Sequence, residues 1–257
     1  MKHRAINIRK GIIIGALYLI AVLFMLPVLL TVLKSVRYKD GFSLQGYYEL
    51  FFNCFPFYRM FWNSVFYSAL ITAGTLLISL PAAFAFKFAR FRGKNLIFVI
   101  YILLMMMPLQ VMILPNYIGL RDIGILNTPM AIVLPMWFSP LGVVVLHQYM
   151  REIDCTVIEA ARLETNSVLR VIIFCILPQI KTCLAAVTLL VFTEMWNMVE
   201  QPLLYVNEDK YRNLSAFIAR PELYEPGVML PASVVFLVPS FLCYMLFHEE
   251  LKKGLKY

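Results

Sequence analysis

Apolar side chains fill six long stretches of this chain, and polar residues gather between them. The stretches run about 11–33, 61–86, 96–117, 130–150, 180–204 and 228–247. About 20 mainly apolar residues cross the roughly 30 Å hydrocarbon layer as a helix. Helix is the required state, because an unpaired backbone group in lipid costs several kcal/mol. The runs are continuous and lack the ten-residue alternating segments of a membrane β-barrel. The pattern predicts an all-α, polytopic membrane protein of about six transmembrane helices, with residues 1–257 as a single transmembrane domain. Pro27, Pro81, Pro108, Pro135 and Pro239 fall inside the runs; each removes one backbone donor and is expected to bend its helix.

Composition agrees with a bilayer. The chain is 61% hydrophobic and 15% charged, against about 25% charged residues in soluble domains. Its net charge of +8 comes from basic residues flanking apolar runs, so the expected partner is anionic membrane lipid rather than nucleic acid. The run after the basic N-terminus is longer than a signal-peptide core and lacks an Ala-x-Ala cleavage site, so it reads as a retained first helix. Cys54, Cys155, Cys175, Cys183 and Cys243 form no Cys-x-x-Cys pair and read as reduced thiols, with no zinc site. His3, His147 and His248 are scattered, which predicts no metal centre.

Lys and Arg are in excess in the connections that share a side with the two termini: near Lys2 and Arg9, in 87–95 (KFARFRGKN), in 151–181, and at Lys252, Lys253 and Lys256. By the positive-inside rule both termini are expected to be cytoplasmic. The connection 152–182 then lies inside. Val157, Ala160, Ala161 and Glu164 recur at helical spacing, predicting a short amphipathic helix over 156–164. Thr165, Asn166 and Ser167 can turn the chain and cap a second helix over 168–177, and Pro178 marks the return to the membrane. Two short helices joined by a tight turn make a knob below the bilayer, suited to a cleft in a soluble partner.

Glu159-Ala160-Ala161, followed by Glu164 and by Ile176-Leu177-Pro178, resembles the EAA motif of ABC importer permeases. The resemblance implies a coupling helix, with Glu159, Ala160, Ala161, Arg162, Leu163, Glu164, Thr165 and Asn166 meeting an ATPase subunit. Small Ala residues allow close approach, while Glu159 and Arg162 offer charges for pairing. Thr165 stands where the family pattern has Gly. Asn166 is therefore expected to supply a left-handed turn one residue later. The resemblance continues through Asn63-Ser64, Ala82-Ala83-Phe84-Ala85-Phe86 with Ala89-Arg90, Met107-Pro108 with Leu114-Pro115, 124–128 (GILNT), Trp196-Asn197 with Pro202-Leu203, and Leu251 with Gly254-Leu255. This order is similar to the carbohydrate (maltose-type) branch. It implies a prokaryotic cell-membrane permease working with a second permease as a heterodimer, two ATP-hydrolysing subunits, and an extracytoplasmic solute-binding protein. No phosphate-binding loop of the Gly-x-x-x-x-Gly-Lys type occurs in the sequence. No enzymatic activity or cofactor is therefore expected of this chain; ATP and Mg belong to the partner ATPases.

Glu194, Asn197, Glu200 and Gln201 interrupt the fifth run. At 100° per residue, Glu194, Asn197 and Gln201 fall within about 60° of one another, with Glu200 about 60° further round. A carboxylate at the bilayer centre costs at least about 2.5 kcal/mol, so the stripe should face protein or water. One reading makes it the lining of a translocation path, with Trp196 as a stacking face for a sugar. Another makes it a contact with the partner permease. Two other function classes stay open: an ABC permease for a different organic solute, and an ion-coupled carrier using Glu194 and Glu200. A membrane-embedded enzyme finds no convergent catalytic set.

Overall fold

The computed structural model describes the backbone of residues 2–38 and 41–254, and the side chains of residues 14–37 and 41–254. The side chains of Lys2, His3, Arg4, Arg9 and Lys10, and Lys39, Leu255 and Lys256 altogether, lie outside that description, so the charge count and the Gly-Leu tail are only partly represented.

The fold is helical. α1 (Lys2–Ser35) is followed by two two-residue strands, β1 (Arg37–Tyr38) and β2 (Gly41–Phe42), paired antiparallel. Then come α2 (Gln45–Tyr48), a π-turn (Glu49–Asn53), α3 (Phe55–Phe88), α4 (Lys94–Met105), α5 (Leu109–Asp122), α6 (Pro129–Met136) and α7 (Pro140–Met150). The 152–182 connection holds α8 (Cys155–Glu164), α9 (Val168–Arg170) and a π-turn (Val171–Ile176). The chain ends with α10 (Lys181–Trp196), α11 (Glu200–Tyr205), α12 (Leu214–Ile218) and α13 (Pro226–Gly254).

Four segments are long and apolar enough to cross a membrane: Ile14–Ser35, Phe55–Phe88, Pro129–Met150 and Pro226–Gly254. Two bent pairs bring the number to as many as six. Lys94–Met105 and Leu109–Asp122 meet at 102°, and Val168–Gln179 and Lys181–Trp196 meet at 88°. The third expected span is therefore two helices rather than one, broken where Pro108 takes an extended conformation. The fifth also ends early: α10 stops at Trp196, and a short break precedes α11. Pro27, Pro81, Pro135 and Pro239 lie within helices that continue past them.

The ends of the helices sort onto two faces. On one, Lys87 Nζ donates to the Arg151 carbonyl (3.2 Å), and Gly254 abuts Thr182. This knob face thus gathers the ends of α3, α7 and α13 with the start of α10. On the opposite cap face, Asn63 Nδ2 donates to the carbonyls of Lys210 (2.9 Å) and Arg212 (2.8 Å), and Ser64 Oγ accepts from the Leu214 amide (2.7 Å). Asn63-Ser64 therefore pins the 206–214 connection across the start of α3.

Close helix approach depends on a seam of small residues. Ser64, Ser68, Thr72, Thr75 and Ser79 recur at three- and four-residue spacing on α3, and all are buried; α3 packs most extensively on α7. A Cβ on Gly142 of α7 would come within 2.6 Å of Ser79 Oγ, and one on Gly74 would overlap the Trp137 indole. Small residues are the usual means of bringing membrane helices together, because lipid offers no hydrophobic drive between them. Trp137 fills the space over Gly74 and donates its indole N–H to the Leu70 carbonyl (3.1 Å).

Gly74→Ala is expected to destabilise the purified protein by about 1–3 kcal/mol through overpacking, read as a lower thermal midpoint in detergent. An exposed Gly→Ala change in a helix would instead gain up to about 1 kcal/mol. Gly119→Ala, whose new methyl meets open space, is the matched control and should not lower the midpoint.

Candidate functional site

The knob and the membrane helices share one core. Ile153, Ile158, Val171, Ile172 and Ile176 belong to the same buried cluster as Leu146 and Met150 of α7 and Ile180 and Val187 around α10. α8 is thereby packed against the ends of α7 and α10 in one close-packed core. α8 begins at Asp154, whose carboxylate accepts from the Thr156 amide (3.0 Å). That amide, together with the Thr156 hydroxyl, holds the Asp154 carboxyl below the usual carboxylate range.

The structure turns α8 differently from the expected face. Its inward side is Val157, Ile158 and Ala161, with Thr165 half-buried, while Ala160 and Glu164 are exposed. Glu159, Arg162 and Leu163 also point outward, Leu163 being 91% exposed. The expected left-handed Asn166 is absent: Thr165 is extended, and among the described residues the non-glycine positive φ is at Asn127 (62°). An extended Thr165 needs no glycine. Its Oγ1 accepts from the Ser167 amide (3.2 Å), and Ser167 in turn caps α9. The corner into α10 falls at Ile180, two residues past Pro178.

The second constellation lies where three helix breaks meet. Two adjoining cavities, of about 320 Å³ and about 490 Å³, share Leu109, Met136, Glu194 and Met195 as lining. Leu109 follows the α4–α5 bend, Met136 precedes the α6–α7 break, and the smaller cavity also takes in the α10–α11 break at Asn197, Met198 and Val199. Glu194 and Asn197 are exposed to this space; Glu200 is half-buried. Gln110 Nε2 donates to Glu200 Oε1 (3.2 Å), joining α5 to α11. Glu200 Oε2 is enclosed and without a hydrogen-bond partner among the described residues.

The helix break changes the expected stripe. Gln201 is only 4% exposed, and its amide N–H points at Met136 Sδ (3.9 Å). Trp196 is fully buried, so it offers no stacking face to a solute. Its ring packs against Phe61, Phe192 and Phe236, and its N–H donates to the Phe236 carbonyl (3.0 Å). Neighbours in sequence thus have opposite roles: Trp196 anchors the break, and Asn197 lines the cavity. Gln110 and the methionine lining were not anticipated. A lone polar residue two positions after Pro108 was the available signal for Gln110.

The family described as "Binding-protein-dependent transport system inner membrane component" matches residues 76–249. The chain is 28% identical, over 202 residues, to the sn-glycerol-3-phosphate transport system permease protein UgpE of Brucella melitensis, covering 77% of this chain and 72% of that protein. It is 27% identical, over 208 residues, to the protein of the same name from Shigella flexneri, covering 79% and 74% respectively. In structure it is similar to a bacterial ABC transporter involved in the import of the acidic polysaccharide alginate, with a TM-score of 0.82, 18% identity, and coverage of 96% of this chain and 97% of that one. The match extends from the middle of α3 almost to the end of α13 and takes in both the knob and the broken helices: the chain belongs to the family of binding-protein-dependent transport system inner membrane components, the permease subunits of ABC importers, and is not itself catalytic.

Proposed function

We propose that this permease subunit forms half of a path for a carbohydrate, with Glu194, Asn197 and Glu200 on the lining, and that α8 couples the path to a separate ATPase. The observation that carries the reading is the convergence of three helix breaks on one pair of cavities. Irregular backbone at membrane depth is tolerated where it is buried in protein or lines a water-filled space. Carbohydrate recognition needs hydrogen-bonding groups beside apolar surface, and this lining combines Asn197 and two carboxylates with methionine and leucine. The relatives named for glycerol-3-phosphate and alginate handle polyhydroxylated solutes, in keeping with a sugar here.

In this reading the knob face is cytoplasmic, as are both termini. The basic residues Arg90, Arg92, Lys94, Arg151, Lys252 and Lys253 lie on that face, where anionic lipid favours them. The partners are a second permease in a heterodimer, two ATPases that hold ATP and Mg, and an extracytoplasmic binding protein. ATP-driven closure of the ATPases moves the two knobs together and opens the path outward. Glu159 and Arg162 supply charges for docking, and the nearly bare Leu163 supplies an apolar anchor.

Glu159→Lys and Leu163→Ser alter exposed side chains, so each should leave the yield and helicity of the permease unchanged. Each is expected to weaken ATPase association about 30-fold, the scale of an interface hot spot, read as loss of the ATPase from complexes purified in mild detergent. Retention of the ATPase at wild-type level in both variants would remove α8 from the interface.

Asn197→Leu is expected to lower ATP-dependent solute uptake in vesicles at least about tenfold, the equivalent of one lost hydrogen bond to the solute, with normal membrane insertion. Normal uptake in a normally inserted variant would take Asn197 off the path.

A further inference from the structure

The lining cavity carries two carboxylates and, among the described residues, no cation. The sequence extends this to the whole transmembrane part of the chain. Residues 60–86, 95–120, 122–150, 182–209 and 221–251 contain no Lys or Arg at all. A phosphate or carboxylate moving past Glu194 and Glu200 would meet negative charge with nothing in this subunit to balance it, in surroundings that screen charge less than bulk water does. Glu200 makes the bias stronger. One of its oxygens takes a single neutral hydrogen bond from Gln110, and the other is enclosed without a partner among the described residues, so no cation offsets the charge of this carboxylate beside the path.

On the cap face, Arg121, Lys210, Arg212 and Arg220 each form an ion pair with an acid close in sequence: Asp122, Glu208, Asp209 and Glu222. Those four charges are offset close by, but Lys34, Arg37 and Arg59 also stand on that face, so the charge bias lies in the lining and not in the cap.

We infer that this importer's path excludes anionic solutes, so that its substrate is an uncharged or amino-bearing sugar, in contrast to the glycerol-3-phosphate and acidic polysaccharide of its relatives. The inference rests on the assignment of Glu194, Asn197 and Glu200 to the path. Hydroxyl and ammonium groups are donors, and donors match an acceptor-rich lining; phosphate and carboxylate at neutral pH are acceptors and do not.

The test places a thiol in the path and asks which charge reaches it. Asn197→Cys is made in the complete importer, with its partner permease and ATPases, in nanodiscs. It is treated with the trimethylammonium-ethyl or the sulfonato-ethyl methanethiosulfonate reagent, with and without ATP. Each reaction joins the cysteine sulfur to the probe in a disulfide and releases methanesulfinate. Peptide mass spectrometry reads residue 197 itself, so the five native cysteines do not interfere.

Relative to 2-mercaptoethanol in solution, the cation-to-anion rate ratio at residue 197 is expected to be raised about tenfold or more, the size for two carboxylates acting through water across several ångströms. Glu194→Gln with Glu200→Gln should bring it to within about twofold of the solution ratio, and either single change, kept in case the double variant fails to assemble, should lower it part of the way. A ratio equal to or below that in solution, or one unmoved by these changes, overturns the charge inference and leaves the path assignment standing. If neither reagent reaches residue 197 in either nucleotide state, the path assignment itself fails and the charge inference fails with it.

Discussion

No backbone N–H or C=O can stay unpaired inside a bilayer without costing several kcal/mol, and this fold depends on how that demand is met where its helices stop. At the α10–α11 break, Ser215 Oγ donates to the Trp196 carbonyl (2.6 Å), Asn213 Nδ2 to the Met198 carbonyl (2.7 Å) and Asn197 Nδ2 to the Thr193 carbonyl (2.7 Å). At the α6–α7 break, Thr75 Oγ1 donates to the Met136 carbonyl (3.2 Å). Near the cap face the left-handed Asn127 donates its amide to the Tyr205 carbonyl and accepts from the Asn207 amide. Side chains stitch the α6–α7 and α10–α11 interruptions, backbone turns close the α4–α5 one, and the space left between the three is the cavity. A straight-helix bundle of the same composition would have no place for Glu194.

The same economy shapes the 152–182 connection. The π-turn over Val171–Ile176 widens the helix, a rare conformation that is frequent at functional sites. Here it turns Val171, Ile172 and Ile176 into the core while Ile173 and Phe174 face out. The outward surface of the knob, with Leu163, Val168, Leu169 and Phe174 all exposed, is too apolar to stay in water on a monomer at low cost. The inward surface is continuous with the transmembrane core. A body with one face fixed to two spans and the other face seeking a partner is suited to carrying motion between them.

How much of this the sequence revealed depended on the period being read. Hydrophobic run length located the four continuous spans and fell on both bent pairs, because crossing lipid constrains composition more strongly than any local propensity. It did not distinguish a span from a bent pair. Met105-Met106-Met107-Pro108 is apolar throughout, so hydropathy does not register the 102° turn that falls at the extended Pro108. The knob was legible from its motif, but not its orientation: Ala160 is small enough to suit either side of α8, and Ile158, which actually enters the core, breaks the spacing that had been followed. The stripe at 194–201 was projected along an unbroken helix. Once α10 ends at Trp196, the 100° rule no longer relates Glu194 to Gln201: Asn197 opens onto the cavity, whereas Gln201, although it also touches the wall, is only 4% exposed and turned toward Met136.

Trp196 shows why type alone misled. An indole near polar residues suggests a sugar platform, yet its N–H reaches a carbonyl about a third of the way along α13, and its faces are taken by phenylalanines. That placement puts the break, and Glu194 beside it, well inside the membrane. Glu194 and Asn197 are nevertheless open on this chain's surface. Facing lipid, a carboxylate at such depth would cost at least about 2.5 kcal/mol; facing water enclosed by a second subunit, it would cost far less. The chain alone presents an open half-channel whose polar side calls for an opposing wall, and the apolar surface around it is compatible with either lipid or that wall. On the path assignment proposed above, the acceptor-rich half fixes one side of the charge balance that a solute crosses, whatever the other half contributes.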